Sequence, residues 1–232
     1  ACGGGHEQAA VETSSDGLRV GPGIEKLVPR DAAAGDSFGM AVAVKGRTVV
    51  AGMPYPGDEG KGRAYVFEGG SGGGWRQQAR LTAWDGVPWD RFGRALAVGR
   101  DVVVVGAPAA PPYGAVYVFA RLGGHWFPQA KLQPADGSEG DTFGAAVAIH
   151  DGLLVVGSPS ARSADGRAAG AAYVYARTWA GWQLRDRLVA SDGADYDGFG
   201  TAVAVSDQLV AVGAPWKHRT AANGDLLTLA GG

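Results

Sequence analysis

Aspartates recur at fixed offsets along this chain, and carboxylates in pairs are the side chains that hold hard cations or move protons. Asp36, Asp90, Asp141 and Asp197 each stand two residues before a phenylalanine, and Asp31, Asp85, Asp136 and Asp192 stand five residues earlier. The fourth copy is the densest, with Asp192, Asp195 and Asp197 inside six residues, and is the one calcium candidate. Four equivalent copies point instead to architecture, because an active site needs one specialised copy and aspartate in a glycine-rich turn caps its own backbone amides.

Other reactive side chains form no recognisable set. His6, His125, His150 and His218 stand in no metal-ligand spacing with a cysteine or with one another. Ser158 in Gly157-Ser158-Pro159 fills the middle of a tripeptide that Met53, Ala107 and Ala214 fill elsewhere, so it marks a strand end and not a nucleophile elbow. The run from Gly69 to Gly74 lies between two strand patterns and opens no helix, which excludes a phosphate loop. The expectation is a non-enzyme with no catalytic residues, no bound metal and no cofactor.

The elements that position these residues come from a repeat. Phe-Gly recurs at Phe38, Phe92, Phe143 and Phe199, and fourteen residues after each Phe comes a Gly-x-Pro, starting at Gly52, Gly106, Gly157 and Gly213. Tyr65-Val66-Phe67, Tyr117-Val118-Phe119 and Tyr173-Val174-Tyr175 follow, then Trp75, Trp126 and Trp182, each with a leucine six residues on. Each unit predicts four short strands rich in β-branched residues, bounded by Gly, Pro or Asp. Four strands per fifty-odd residues is one blade of a β-propeller.

The Phe-Gly and Gly-x-Pro pattern resembles the FG-GAP repeat of integrin α-subunit propellers and of bacterial surface proteins, over about residues 24 to 216; kelch is the runner-up. The predicted class is all-β, a propeller of about four four-stranded antiparallel blades with repeats starting near 31, 85, 136 and 192. Residues 23–232 form it, behind a flexible tether at 1–22. In the family, calcium is held by an Asp-rich loop between Phe-Gly and Gly-Ala-Pro. Here that interval holds only tight turns such as Lys45-Gly46-Arg47 and His150-Asp151-Gly152, too few ligands for calcium.

The last copy lacks an outer strand, and Ile24-Glu25-Lys26-Leu27 carries the leucine-to-aspartate spacing of one. The expectation is that this N-terminal strand closes the fourth blade, the alternative being a piece of a larger propeller.

A formal net charge of -2 offers no attraction for nucleic acid or an anionic bilayer. Forty glycines beside 46% apolar residues fit a packed, turn-rich fold. Ala1-Cys2-Gly3 resembles the processing site of a bacterial lipoprotein, which implies lipidation at Cys2, the sole cysteine, and a place outside the cell or on its surface. Any membrane contact then runs through that anchor alone.

Function is sought in loops that differ between copies, because rigid scaffolds carry binding residues on loops. The loops after each Gly-x-Pro vary most. Trp84, Trp89, Trp179 and Trp216 do not repeat, and with Tyr55 and Tyr113 they are the candidate contacts for a protein or a glycan. The expected function is recognition or adhesion; the alternatives are a spacer without a ligand and, less favoured, a sugar-processing enzyme.

Overall fold

The computed structural model describes residues 25–57, 60–70, 73–163, 165–207 and 209–217, and the backbone of a last strand at 225–230. All described elements are strands. The first sheet holds β1 (Val42–Lys45), β2 (Thr48–Met53), β3 (Arg63–Gly69) and β4 (Trp75–Leu81) in sequence order, every pair antiparallel. The second holds β5 (Ala95–Val98), β6 (Val102–Ala107), β7 (Ala115–Leu122) and β8 (His125–Leu132), and the third β9 (Ala146–His150), β10 (Leu153–Ser158), β11 (Ala171–Thr178) and β12 (Gly181–Leu188). The fourth has three strands, β13 (Ala202–Val205), β14 (Leu209–Ala214) and β15 (Asp225–Ala230). These are the predicted blades, and each full blade carries a bulge at one position, after Val66, Val118 and Val174.

A blade cannot bury two apolar faces alone, so the core lies between blades. Val50, Ala64, Val66 and Leu81 of the first blade pack against Phe92, Val105, Tyr117 and Phe119 of the second, and the pattern repeats at the next two junctions. In the three full blades the repeated Phe meets its own blade's aromatic pair edge-on, as Phe92 does with Tyr117 at 5.4 Å and Phe119 at 6.1 Å between ring centroids.

The Phe-Gly and Gly-x-Pro glycines meet where blades touch. A Cβ built on Gly52, Gly106 or Gly157 would stand 2.0, 2.1 or 1.9 Å from the carbonyl oxygen of Gly93, Gly144 or Gly200 in the next blade. Only a residue without a Cβ permits that approach. The constant fourteen-residue spacing is therefore the signature of blade-to-blade contact.

The expected closure differs from the structure. Residues 25–29 form no strand and are not paired with β15; they lie along the first blade. Glu25 Oε1 accepts from the Trp75 amide at 3.0 Å, the Arg30 amide donates to Gln77 at 2.9 Å, and Leu27 packs on Met53, Tyr65 and Phe67. Ile24 is outside the described residues. The leucine-to-aspartate spacing reports the relation of an outer strand to the blade that follows it, and Leu27 to Asp31 keeps that relation without a sheet partner. The inner strands β1, β5, β9 and β13 pack in succession, whereas β1 and β13 share no packing of that extent and, among the described residues, Gly39 and Gly213 meet no other blade, so the described blades form an open arc.

Candidate functional site

Strand parity decides which loops can cooperate. In an antiparallel blade the connection from the second to the third strand and the connection into the next blade emerge at the same end. Backbone hydrogen bonds join them: Trp89 N to Gly60 O at 2.8 Å, Gly140 N to Pro112 O at 3.4 Å, Tyr196 N to Ala168 O at 3.0 Å and Trp216 N to Asp197 O at 3.2 Å.

Five of the six aromatic candidates belong to this loop face. Tyr55 shares a pair of hydrogen bonds with Ser37 and lies under the guanidinium of Arg91, 5.9 Å from the ring centre. Trp84 stands edge-on to Tyr117 at 4.9 Å and to Phe119 at 6.1 Å, and still exposes about half its surface. The rings of Tyr113 and Trp216 rest on Gly137 and Gly198, where a Cβ would come within 2.6 and 2.4 Å of them. Trp89 lies over Gly60. Trp179 is the exception: it tips the turn between β11 and β12, at the opposite end of its blade, and is wholly exposed.

One column of the repeat stands out. The residues just before the repeated Asp are Gly35, Trp89, Gly140 and Tyr196, and all four have φ between 68° and 91°. Glycine adopts that left-handed conformation freely, whereas a bulky side chain there is strained by roughly 1–2 kcal/mol. Trp89 and Tyr196 nevertheless occupy it, 68% and 79% exposed. Tyr196 was not among the sequence candidates, although lining up the four copies places it opposite two glycines. Beneath Trp84 a cleft of about 300 Å³ is also lined by Lys61, Arg63, Arg80, Thr82 and Asp90.

The calcium candidate is not assembled. Asp192 Oδ1 takes the ammonium of Lys217 at 2.5 Å, Asp195 accepts from the Ala168 amide at 2.7 Å and Asp197 from the Ala194 amide at 2.8 Å. Lys217 takes the place a cation would need: its ammonium also stands 3.7 Å from Asp197 Oδ2, so it bridges Asp192 and Asp197, while Asp195 is committed to a different loop. Asp36 and Asp141 likewise cap amides three residues back, those of Ala33 and Ser138. Asp90 accepts from the Phe92 amide with Oδ1, and its Oδ2, like Oδ1 of Asp197, is buried without a hydrogen bond. Burial raises the pKa of Asp90 and of Asp141 above the usual carboxylate value.

At the opposite end, turns from adjacent blades bring His150 Nε2 to 2.5 Å from Asp207 and 3.8 Å from Asp151. Among the described residues this is the one cluster with metal-type donors, and one imidazole with two exposed carboxylates falls short of a calcium shell. Counting donors turn by turn hid it, because it spans two blades. His6, His218 and Cys2 lie outside the described residues, so the lipidation expectation falls outside them too.

A model of the FG-GAP repeat matches residues 24–67, 75–119, 126–175 and 182–226. The chain belongs to the FG-GAP repeat family. An FG-GAP propeller is, in general terms, a protein-interaction or adhesion type of module. Among solved structures this FG-GAP chain is similar to two crystal structures of Sqt1 from Chaetomium thermophilum, at 18% and 17% identity, each with a TM-score of 0.51. Each match covers 78% of this chain and 42% of Sqt1, so the FG-GAP chain spans less than half the length of the solved protein, and the likeness concerns the fold alone. No curated protein matches it.

Proposed function

We propose that the chain is a non-catalytic recognition module that binds a protein or a glycan through the loop face carrying Tyr55, Trp84, Trp89, Tyr113, Tyr196 and Trp216. The observation that carries this reading is the left-handed backbone of Trp89 and Tyr196. A packing role does not account for a strained, exposed aromatic at a position where two other copies use glycine, whereas contact with a ligand does. Aromatic faces stack on sugars and anchor protein interfaces, and the cleft beneath Trp84 adds cationic and hydroxyl groups for orientation.

The test is a screen of a glycan array and a panel of extracellular proteins, repeated with Trp89→Gly and Tyr196→Gly. Both variants should melt at or above the wild-type temperature while losing at least ten-fold in affinity, about 1.4 kcal/mol. Retained binding in the double variant, or no ligand in either screen, would overturn the reading.

A further inference from the structure

The two ends of the arc are complementary. Gly213 is the fourth member of the series Gly52, Gly106 and Gly157, yet among the described residues nothing presses on it: a Cβ there would meet only Ala202 of its own blade, at 3.5 Å. At the other end Gly39 begins the series Gly93, Gly144 and Gly200. A Cβ on any of those three would stand 2.3 to 2.6 Å from a carbonyl of the preceding blade, whereas a Cβ on Gly39 would meet no described residue within 4 Å. One end thus keeps the half of a blade junction that the other end lacks.

The strands flanking these glycines agree. Val42 and Val44 of β1 are each 68% exposed, while Val98, the counterpart of Val44 in the second blade, is buried. Leu209 and Ala211 of β14 lie open or half-open where the third blade buries Val155. Within the described residues the fourth sheet ends at β15, and residues 25–31 already hold the place of an outer strand ahead of the first blade: Asp31 pairs with Arg80 at 2.9 Å as Asp85 pairs with Lys131 at 2.7 Å.

We infer that the occupant of each free end is a second copy of this chain, docked head to tail, with Gly213 of one copy against the Phe38-Gly39 turn of the other and residues 25–31 beside the incomplete fourth blade. Such a contact continues the three junctions already present inside the chain. Two four-blade arcs make eight blades, within the range at which propellers close, whereas three would make twelve. Both new junctions are then equivalent by a two-fold axis, and the ring leaves no free end. The inference is independent of the ligand-binding reading, because none of the aromatic candidates takes part.

Sedimentation of the 232-residue chain at tens of micromolar should give twice the 23.6 kDa protomer mass. Gly213→Ala blocks one end without crowding its own blade, and the pair Val42→Asp and Val44→Asp blocks the other; each should weaken association by about ten-fold or more. The two blocked proteins, monomeric alone, should form a mixed dimer, since one unaltered head still meets one unaltered tail. A wild-type monomer overturns the inference. So does a dimer that survives Gly213→Ala, or a mixture that stays monomeric, which would mean that like ends pair with like.

Discussion

The hydroxyl of Tyr117 donates a 2.8 Å hydrogen bond to Oδ1 of Asp85, in the loop that leads into its own blade. Lys131, from the outer strand of the same blade, takes the other carboxylate oxygen at 2.7 Å and lies over the Tyr117 ring. The next blade repeats the arrangement with Tyr173, Asp136 and Arg187. In these two blades the earlier aspartate of the pair is thus a tie from the entering loop to the third and fourth strands, whereas Asp192 of the fourth unit ties to Lys217 in the loop after β14. Tyr117→Phe should cost about 1 kcal/mol, the net worth of one such bond, measured by urea unfolding. No loss would mean that Lys131 alone holds the loop.

Asp90 gives stability a pH dependence of defined sign. Burial raises its folded pKa above the unfolded value, so the folded state takes up a proton first, and this group makes the protein more stable as pH falls through that raised pKa towards 3.8. Asp90→Asn keeps an acceptor for the Phe92 amide and removes the buried charge. It should be about 1 kcal/mol more stable at pH 7, with the advantage shrinking on acidification. Thermal melts from pH 7 to pH 4 test this; a constant difference would contradict it.

Gly157→Ala should lower stability by about 3 kcal/mol, the upper end of overpacking costs, because the clash is with the Gly200 backbone and not with a side chain that can turn away. Gly213→Ala should leave the protomer's own unfolding within about 0.5 kcal/mol of wild type. The contrast can be read from denaturation under dilute conditions.

Trp84→Ala should cost about 2 kcal/mol, since its edge contacts with Tyr117 and Phe119 are lost along with the apolar area they cover. Trp179→Ala should change neither stability nor binding at the loop face, because the ring touches nothing and faces the other way. A binding defect in Trp179→Ala would move the recognition surface to the opposite end.

The fold was legible because its signature residues are the ones that touch across blades: a Phe-Gly carbonyl against a Gly-x-Pro glycine admits no side chain, and so leaves a fixed spacing. The closure was not legible for the same reason. Leu27 and Asp31 carry the pattern of an outer strand because they meet Tyr65 and Arg80 of the following blade, and that pattern is silent about the sheet behind them. At the site, the unrepeated tryptophans led to Trp89 but not to Tyr196, although both stand opposite glycines in the repeat, because what joins them is a left-handed backbone and not a residue type. Trp179 differs from Trp84 and Trp216 only in strand parity, which the predicted strand order already contained.

Because every unit carries both halves of its own fastening, a gene that duplicates or loses one stretch of about fifty codons adds or removes a blade without a new complementary surface having to arise. Ring size can then drift by unequal crossing-over while the glycine contacts stay unchanged, and selection is left to act on the loops.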